Sequence, residues 1–540
     1  MTGSETLPEA PWWQGAVIYQ IYPRSFCDSN GDGVGDLAGI TQNLDYVASL
    51  GVDAIWLSPF FASPMKDFGY DVSDYLAVDP LFGNLDDFDR LLARAHDLGL
   101  RVIIDQVYAH TSDGHAWFQE SRSNRTNAKA DWYVWADPRP DGTAPNNWLS
   151  VFYGPAWTWN ARRMQYYMHN FLPTQPQLNV NNPAVQAALF DTARFWLDRG
   201  VDGFRLDAIN FAMHDRKLTD NPPVREPGAV LRRPFDFQHH IYNQSQPAVI
   251  PFIERLAKVV TGFGSDRFTV AEVGGEQALS EMRSITAGSS RLNTSYGFDF
   301  LYAERLSPSL VLNALANWPG TTGEGWPSWA FSNHDAPRAV SRWDDGFDSD
   351  SRAKLLLALL MSLRGNVFLY QGEELGLTQA NIAFEDLRDP EAIANWPLTQ
   401  GRDGARTPMP WVDKAPNAGF SVAKPWLPVP EEHARRAVSV QNREADSVLM
   451  RTRELLELRR SNSTLRTGRF EALALPSPLL GFDRVSKQMR VRCQFNLSAQ
   501  TLTSNAFVEG ECLFSCGDVN RQAGILGPWA CCISVAAVYA

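Results

Sequence analysis

Cysteine is scarce in this chain: six residues in 540. Cys27 stands alone, and Cys493, Cys512, Cys516, Cys531 and Cys532 fall near the carboxyl end. No His accompanies that late group at zinc-ligand spacing, and Cys512 to Cys516 is too wide for a CxxC pair. Reduced, partly buried thiols in a cytoplasmic protein are therefore expected. Long apolar runs are also missing. No stretch reaches the roughly 18 residues of a membrane span, and "MTGSETLPEAPWWQGAVIYQIYP" has no charged n-region followed by a long apolar segment. Clustered positive charge is absent too: there is no Lys/Arg-rich run or basic helix, and the net charge is −12. Nucleic acid and anionic membrane both reward clustered cations, so neither is an expected partner. Internal repeats and low-complexity tracts are lacking as well.

What the chain does have is a repeated order of short apolar runs and helical patterns. "AVIYQIY" precedes a segment in which Leu37, Ile40, Leu44, Val47 and Leu50 keep helical spacing. "DAIWLSP" leads into the helix "NLDDFDRLLARAHDLGL", which runs into "RVIIDQV". The helix "AVQAALFDTARFWLDRG" precedes "DGFRLDA"; "RFTVAEV" and "PSWAFSNHD" follow, then "SRAKLLLALLMSLRG" and "NVFLYQGEELG". Strand-then-helix repetition predicts a parallel sheet with helical crossovers. Asp105, Asp207, Glu272 and Asp335 all fall at carboxyl ends of predicted strands, where a (β/α)8 barrel collects its chemistry. The alternation fails between 107 and 171, a stretch rich in Trp, Asn, Pro and Tyr. It fails again at about 376–430. From 461 the chain alternates weakly, as a small β-sandwich would. The expected layout is an α/β fold: a (β/α)8 TIM barrel from 1–106 and 172–460, an inserted domain at 107–171 after the third strand, and a C-terminal antiparallel β-sandwich at 461–540. The chain carries 18 Trp and 15 Tyr, clustered between Trp132 and Tyr167. Aromatic faces suit sugar rings, although they also fill cores.

"RGVDGFRLDAIN" places Arg205 and Asp207 two residues apart, hence on one face of a strand. Glu272 and Asp335 come from other strands, so only a closed barrel would make the three carboxylates neighbours. Two carboxyls about 5 Å apart can divide glycoside cleavage into a double displacement, one attacking the anomeric carbon while the other protonates the leaving oxygen. Arg205 is expected to hold its neighbour ionised, because an adjacent cation lowers a carboxylate's pKa. A second constellation is "DSNGDGVGD". Asp28, Asn30, Asp32 and Asp36 sit at alternate positions, with the Val34 carbonyl between them and Gly relieving the turn. Oxygen ligands at every second residue suit a hard divalent cation, Ca2+ or Mg2+, in a structural role.

The segments "GVDGFRLDAIN", "VAEV", "FSNHD", "IIDQVYAH" and "DFGYDVSDY", in order, resemble the glycoside hydrolase family of α-amylases and α-glucosidases from position 12 to about 460. "QPQLN", "YQGEELG" and "GRDGARTPMPW" resemble its α-glucosidase and oligo-1,6-glucosidase branch. The resemblance implies Asp207 as nucleophile, Glu272 as acid/base and Asp335 as the third carboxylate. It implies that His110 and His334 bind glucose hydroxyls, that Asp67 and Arg402 close the far end of the pocket, and that Tyr70 stacks beneath the ring. Phe152 and Phe171 would line the pocket near the scissile bond. Tyr153 departs from the glycine pair common after that Phe, which alters the aglycone side. Glu276 is expected to be a solvated loop carboxylate. Ala109 replaces the Asn that ligates calcium in many α-amylases, so that amylase-type site is expected to be missing. The implied activity is retaining, exo-acting hydrolysis of short α-glucosides, with transglucosylation and no organic cofactor, by a monomer or homodimer. Ala208 follows the nucleophile where family members favouring α-1,6 bonds tend to carry Val, which implies α-1,4 preference with mixed tolerance. Two alternatives are a sucrose or maltose isomerase on the same site and a sugar-binding or partner module without catalysis.

Overall fold

In the computed structural model, residues 10–226, 231, 233–318, 325–507 and 510–536 are described. Eight strands close into a barrel: β1 (Val17–Ile21), β2 (Ala54–Leu57), β3 (Arg101–Val107), β4 (Gly203–Asp207), β5 (Phe268–Glu272), β6 (Thr294–Tyr296), β7 (Trp326–Ala330) and β8 (Asn366–Tyr370). Each pairs in parallel with the next, and β8 pairs with β1. Helices fill the crossovers, among them Leu85–Asp97, Pro183–Asp198, Val249–Thr261, Ser349–Ser362 and Val448–Ser461. Local sequence sets their limits. Asn84 caps Leu85–Asp97 through a capping box with Asp87, and the helix buries Phe88, Leu91, Leu92 and Ala95 at the i, i+3, i+4, i+7 spacing of one apolar stripe. Asn182 caps Pro183–Asp198, with Pro at the first helical position, where its missing N–H removes no bond.

Two-residue periodicity sorts the strand side chains. Ile18, Trp56, Ile103, Val270, Tyr296 and Phe368 belong to one buried cluster inside the barrel, while Tyr19, Ile55, Ile104, Phe204, Leu206 and Leu369 belong to the core beneath the helices. The inward-facing positions nearest the carboxyl ends therefore include Gln20, Asp105, Arg205, Asp207 and Glu272. Gly203 permits the close approach of β4 to β5, since a Cβ there would lie 2.2 Å from the Phe268 carbonyl oxygen.

Between β3 and Pro183–Asp198 the chain forms a small antiparallel sheet from Trp135–Ala136, Gln165–Met168 and Trp157–Asn160. Many of its aromatics fill its own core: Trp148 and Trp157 stack at 6.0 Å, and Trp135 lies parallel to Phe118 at 5.7 Å. After Val448–Ser461, strands β9 (Arg469–Ala472), β10 (Leu479–Val485), β11 (Arg490–Asn496), β12 (Cys512–Cys516) and β13 (Cys531–Ala536) make an antiparallel sheet in the order β9-β10-β11-β13-β12. A three-stranded sheet of Leu502–Thr503, Ile525–Leu526 and Val519–Asn520 packs on it through Leu479, Leu526, Ala530 and Cys532. One buried guanidinium, Arg484 on β10, docks this unit on the barrel, and a second, Arg459 on Val448–Ser461, ties that helix to the same turn of the barrel. Arg459 donates to the Leu363 and Gly365 carbonyls, and Arg484 to those of Ser362 and Gly468. Both cations sit at the carboxyl end of Ser349–Ser362, where the helix dipole favours positive charge. Among the described residues no helix is long and apolar enough to cross a membrane.

Candidate active site

At the carboxyl ends of the strands one buried network joins most of the candidate residues. Arg205 is its hub and is fully buried. Its Nη1 donates to Asp207 at 2.6 Å and Asp105 at 2.8 Å, its Nη2 donates to Glu272 at 2.5 Å, and its Nε donates to the Tyr296 hydroxyl at 3.2 Å. The guanidinium also lies 4.9 Å from the Trp56 ring. Three carboxylates thus share one cation. Burial dominates their titration: it pushes Asp207 up to about 7, against the pull of Arg205, and Glu272 up to about 7, with repulsion from Asp207 and Asp335 adding to it. Asp105 is likewise raised, to about 6. Arg205 lowers the Asp207 pKa, as an adjacent cation does, but burial outweighs that pull and Asp105 shares the same guanidinium. Immediately after Asp207 the backbone turns sharply at Ala208, which has φ 39° and ψ 43°, and its N–H points at Glu272 from 3.4 Å.

A second group lies beside this one. The Tyr70 hydroxyl donates to Asp105 at 3.1 Å, and its ring stacks on His334 at 5.3 Å and 8°. Gln20 donates to His334 Nδ1 at 2.8 Å, which leaves the ring proton on Nε2, 2.5 Å from the Tyr70 hydroxyl oxygen and 3.2 Å from Asp335. Burial holds His334 down to about 3, so the imidazole is neutral. Burial works against a charge on Asp335, but His334, Arg406 and Arg402 outweigh it and hold the carboxyl well below the usual range. Arg406 donates to Asp335 at 2.6 Å, and Arg402 reaches it at 3.4 Å.

Arg402 then closes the far side. It pairs with Asp67 and Asp389, each at 2.8 Å, and its guanidinium lies 5.0 Å from the Phe152 ring. Gln175 donates to Asp67 at 3.0 Å and lies 3.2 Å from His110 Nε2. His110 is neutral too, burial holding it down to about 4, and its Nδ1 is buried without a partner. Phe171 packs between His110 (5.1 Å), Phe152 (5.8 Å) and Phe211 (5.2 Å). Glu276 lies apart, more than half exposed and 2.8 Å from His239. Tyr153 is 37% exposed at the rim of an open depression of about 420 Å3 with Lys66, Phe68, Arg388 and Ile393.

Sequence reasoning left Gln20, Asp105, Gln175, Tyr296, Asp389 and Arg406 out of the site. Asp105 carried a signal, since it was a charged residue at a strand's carboxyl end. Arg406 stands four residues after Arg402 in "GRDGARTPMPW". Tyr296 and Asp389 contact the site only through partners distant in sequence.

Loop 28–36 stands away from this network. Asp28 accepts from the Gly31 and Gly33 N–H groups at 2.7 and 2.8 Å and from the Ser421 hydroxyl. Burial alone would raise its pKa, but these bonds hold it below the ordinary value. Asp36 caps Leu37–Gln42 through Gly39 N and also accepts from Ser29 N. Asn30 and Asp32 accept from the N–H two residues on. Among the described residues, this loop included, no three Asp, Glu, His or Cys side chains converge as a preformed metal cluster.

A barrel with carboxylates from β4 and β5 around one arginine agrees with the relationships found by comparison. The model of the α-amylase catalytic domain matches residues 20–468. The chain belongs to the α-amylase catalytic-domain family. A probable alpha-glucosidase of Rhizobium meliloti (strain 1021) is 53% identical over 509 residues, covering 93% of this chain and 92% of that protein. An oligo-1,6-glucosidase of Heyndrickxia coagulans is 37% identical, covering 91% and 93%. Among solved structures, the alpha-glucosyl transfer enzyme XgtA superposes with a TM-score of 0.93 at 51% identity, covering 98% of this chain and all of that one. The trehalulose synthase MutB from Pseudomonas mesoacidophila MX-45 gives 0.88 at 31% identity, with the same coverage.

Proposed function

We propose that this family member is a retaining, exo-acting α-glucosidase that releases glucose from the non-reducing end of short α-glucosides, favouring α-1,4 bonds and tolerating others. The observation that carries the reading is the arrangement around two arginines. Arg205 draws Asp207 and Glu272 together from adjacent strands, while Arg402 with Asp67 and Asp389 seals the far end. Close carboxyls distinguish double displacement, at about 5–5.5 Å, from the single displacement that needs about 6.5–9.5 Å to admit water. Asp207, ionised, attacks the anomeric carbon and forms a β-glucosyl ester. Glu272 holds the proton that the buried pair retains near neutrality, gives it to the leaving oxygen, and then takes one from the incoming water. Asp335, kept ionised by two arginines, binds ring hydroxyls and steadies the charge of the oxocarbenium-like transition state. Neutral His334 directs its Nε2–H at the Tyr70 hydroxyl and Asp335 and so positions both, and His110, held by the Tyr70 carbonyl and beside Gln175, fixes the pocket wall against Phe171. Tyr70, Phe152 and Phe171 supply the apolar walls.

When an acceptor hydroxyl replaces water, the same ester yields a transfer product; the likeness to a glucosyl transfer enzyme supports that side activity. The oxygen donors of loop 28–36 fit a hard divalent cation by chemistry and spacing. Asp28, Asn30, Asp32, Asp36 and the Val34 carbonyl would hold Ca2+ or Mg2+ there, as a brace between this loop and Phe420–Trp426 and outside the chemical step. The six cysteines, all free thiols, support a cytoplasmic location. Chromatography of products over time from maltose, isomaltose, sucrose and trehalose tests the reading. Glucose released first as the α-anomer is the expected result. Sucrose converted to an isomeric disaccharide with little free glucose would assign the site to an isomerase instead.

A further inference from the structure

Two thiols of the terminal sheet stand face to face, far from the carboxylate network. Cys516 ends β12 and Cys531 begins β13; the two are directly opposed across the antiparallel ladder, with their sulfurs 3.2 Å apart. Opposed residues in such a ladder have Cα atoms about 4.5–5.5 Å apart, inside the roughly 4.4–6.8 Å that a disulfide spans. β12 is an edge strand, so Cys516 lies at the end of an edge and keeps 6% exposure, whereas Cys531 is fully buried. The surroundings make the two sulfurs unequal. Arg451 donates to the Ser515 carbonyl, and its guanidinium lies 4.5 Å from the Phe514 ring. A hydrogen bond from the Cys531 thiol, with the charges of Arg451 and Lys354, draws Cys516 below the ordinary thiol value against the effect of burial, while burial pushes Cys531 up. Cys516 is thus the sulfur that ionises, and the thiolate is the nucleophile.

We propose that Cys516 and Cys531 are an oxidation site at which a hydroperoxide converts the two thiols into a disulfide across the edge of the terminal sheet. The Cys516 thiolate attacks one peroxide oxygen. The O–O bond breaks, leaving a sulfenic acid on Cys516 and releasing hydroxide, which takes up the thiol proton as water. The Cys531 sulfur then attacks the sulfenic sulfur; the S–S bond forms, the S–O bond breaks, and the hydroxyl leaves with the Cys531 proton as a second water. The two thiols lose two electrons in all, and one peroxide gains them. Only Cys516 has to meet the oxidant. Cys531 has to meet only its neighbour, and the sulfurs need close by roughly 1 Å to reach bonding distance. Cys532 packs on the other face of the sheet with Leu479 and Leu526, and Cys512 is exposed at the far end of β12, so neither competes for the Cys516 sulfur. The crosslink closes the segment 516–531, in which Trp529 donates to Asp345 of the barrel at 3.0 Å. Oxidation would therefore hold both the sheet edge and this contact in place, by restricting the unfolded chain.

Peptide mapping of the full chain tests this. Reduced protein is treated with hydrogen peroxide, its remaining thiols are alkylated, and it is cut with trypsin, which cleaves after Arg521 and so separates the two cysteines. The unreduced digest should contain the Cys516 and Cys531 peptides joined, two hydrogens lighter than the free pair. The Tm should rise by a few degrees, kcat/KM for an aryl α-glucoside should stay unchanged, and dithiothreitol should reverse both the crosslink and the Tm shift. Cys516→Ser and Cys531→Ala should each abolish the crosslink and the shift, whereas Cys512→Ser and Cys532→Ser should keep both. The wild-type digest decides the matter even where a variant folds poorly. Cys516 carried on to sulfinic acid with no crosslink, a crosslink that survives in Cys516→Ser, one that is lost in Cys532→Ser, or a crosslink that leaves the Tm unmoved would each overturn the assignment.

Discussion

Glu272 is buried beside Asp207 and Asp335, and the pair it forms with Asp207 gives up its last proton near pH 7. The acid is in its working form below that point and is lost as pH rises through it. Accordingly kcat/KM should decline on the alkaline side with an apparent pKa near 7, a property of the coupled pair and not of one residue. Glu272→Gln should lower turnover of maltose by about 10²–10⁴-fold, abolish that alkaline limb and recover much of the rate on glucosyl fluorides or activated aryl glucosides. An equal loss on every leaving group would remove Glu272 from the role of acid. Ala208 marks a second residue-scale test. Its backbone lies in the left-handed region, where a β-branched side chain is strained. Ala208→Val should therefore cost stability while raising the ratio of isomaltose to maltose hydrolysis; an unchanged ratio would remove this position from linkage choice. At this scale the sequence disclosed Arg205 and Asp207 as neighbours because strand periodicity is two. It could not disclose that Asp105 and Tyr296 compete for the same guanidinium, since that contact depends on the order of strands around the barrel.

Among the elements, seven barrel strands were visible as apolar runs ending in polar residues, but β6 was not. Thr294–Tyr296 is three residues long, and Thr294 is satisfied by the Ser328 hydroxyl at 2.8 Å, so neither length nor hydrophobicity marks it. The pattern from Leu37 to Leu50 reads as one helix, whereas the chain forms Leu37–Gln42 and Leu44–Leu50 with a break at Asn43. Loop 28–36 was conspicuous, because its side chains alternate and its function is local. A cation held only by the native loop stabilises the fold by RT ln(1 + [L]/Kd), about 2.7 kcal/mol at a hundredfold excess over Kd. Chelator should therefore lower the Tm, and added Ca2+ or Mg2+ should restore it, with low-temperature turnover nearly constant. Asp32→Ala should reproduce the chelated Tm and make it insensitive to chelator. A Tm indifferent to chelation would leave the loop as an Asx-rich turn.

For the whole molecule, the closure made by Asp67, Arg402 and Asp389 decides chain length. Disaccharides and trisaccharides should be cleaved, and soluble starch should keep its viscosity; rapid thinning with long oligosaccharides appearing first would mean an open cleft. The parallel barrel was readable from the alternation of strand and helix patterns. The docking of the terminal sheet through Arg484 was not, because its guanidinium is met by backbone carbonyls that no sequence pattern announces. The account as a whole rests on a covalent glucosyl ester at Asp207. Incubation with a fluorinated α-glucosyl fluoride that slows hydrolysis of such an ester, followed by proteolysis and mass spectrometry, tests it most directly. One fluoroglucosyl group per chain on the peptide containing Asp207, lost in Asp207→Asn, is the predicted result; a label on another side chain, or no label with glucose released as the β-anomer, would contradict it.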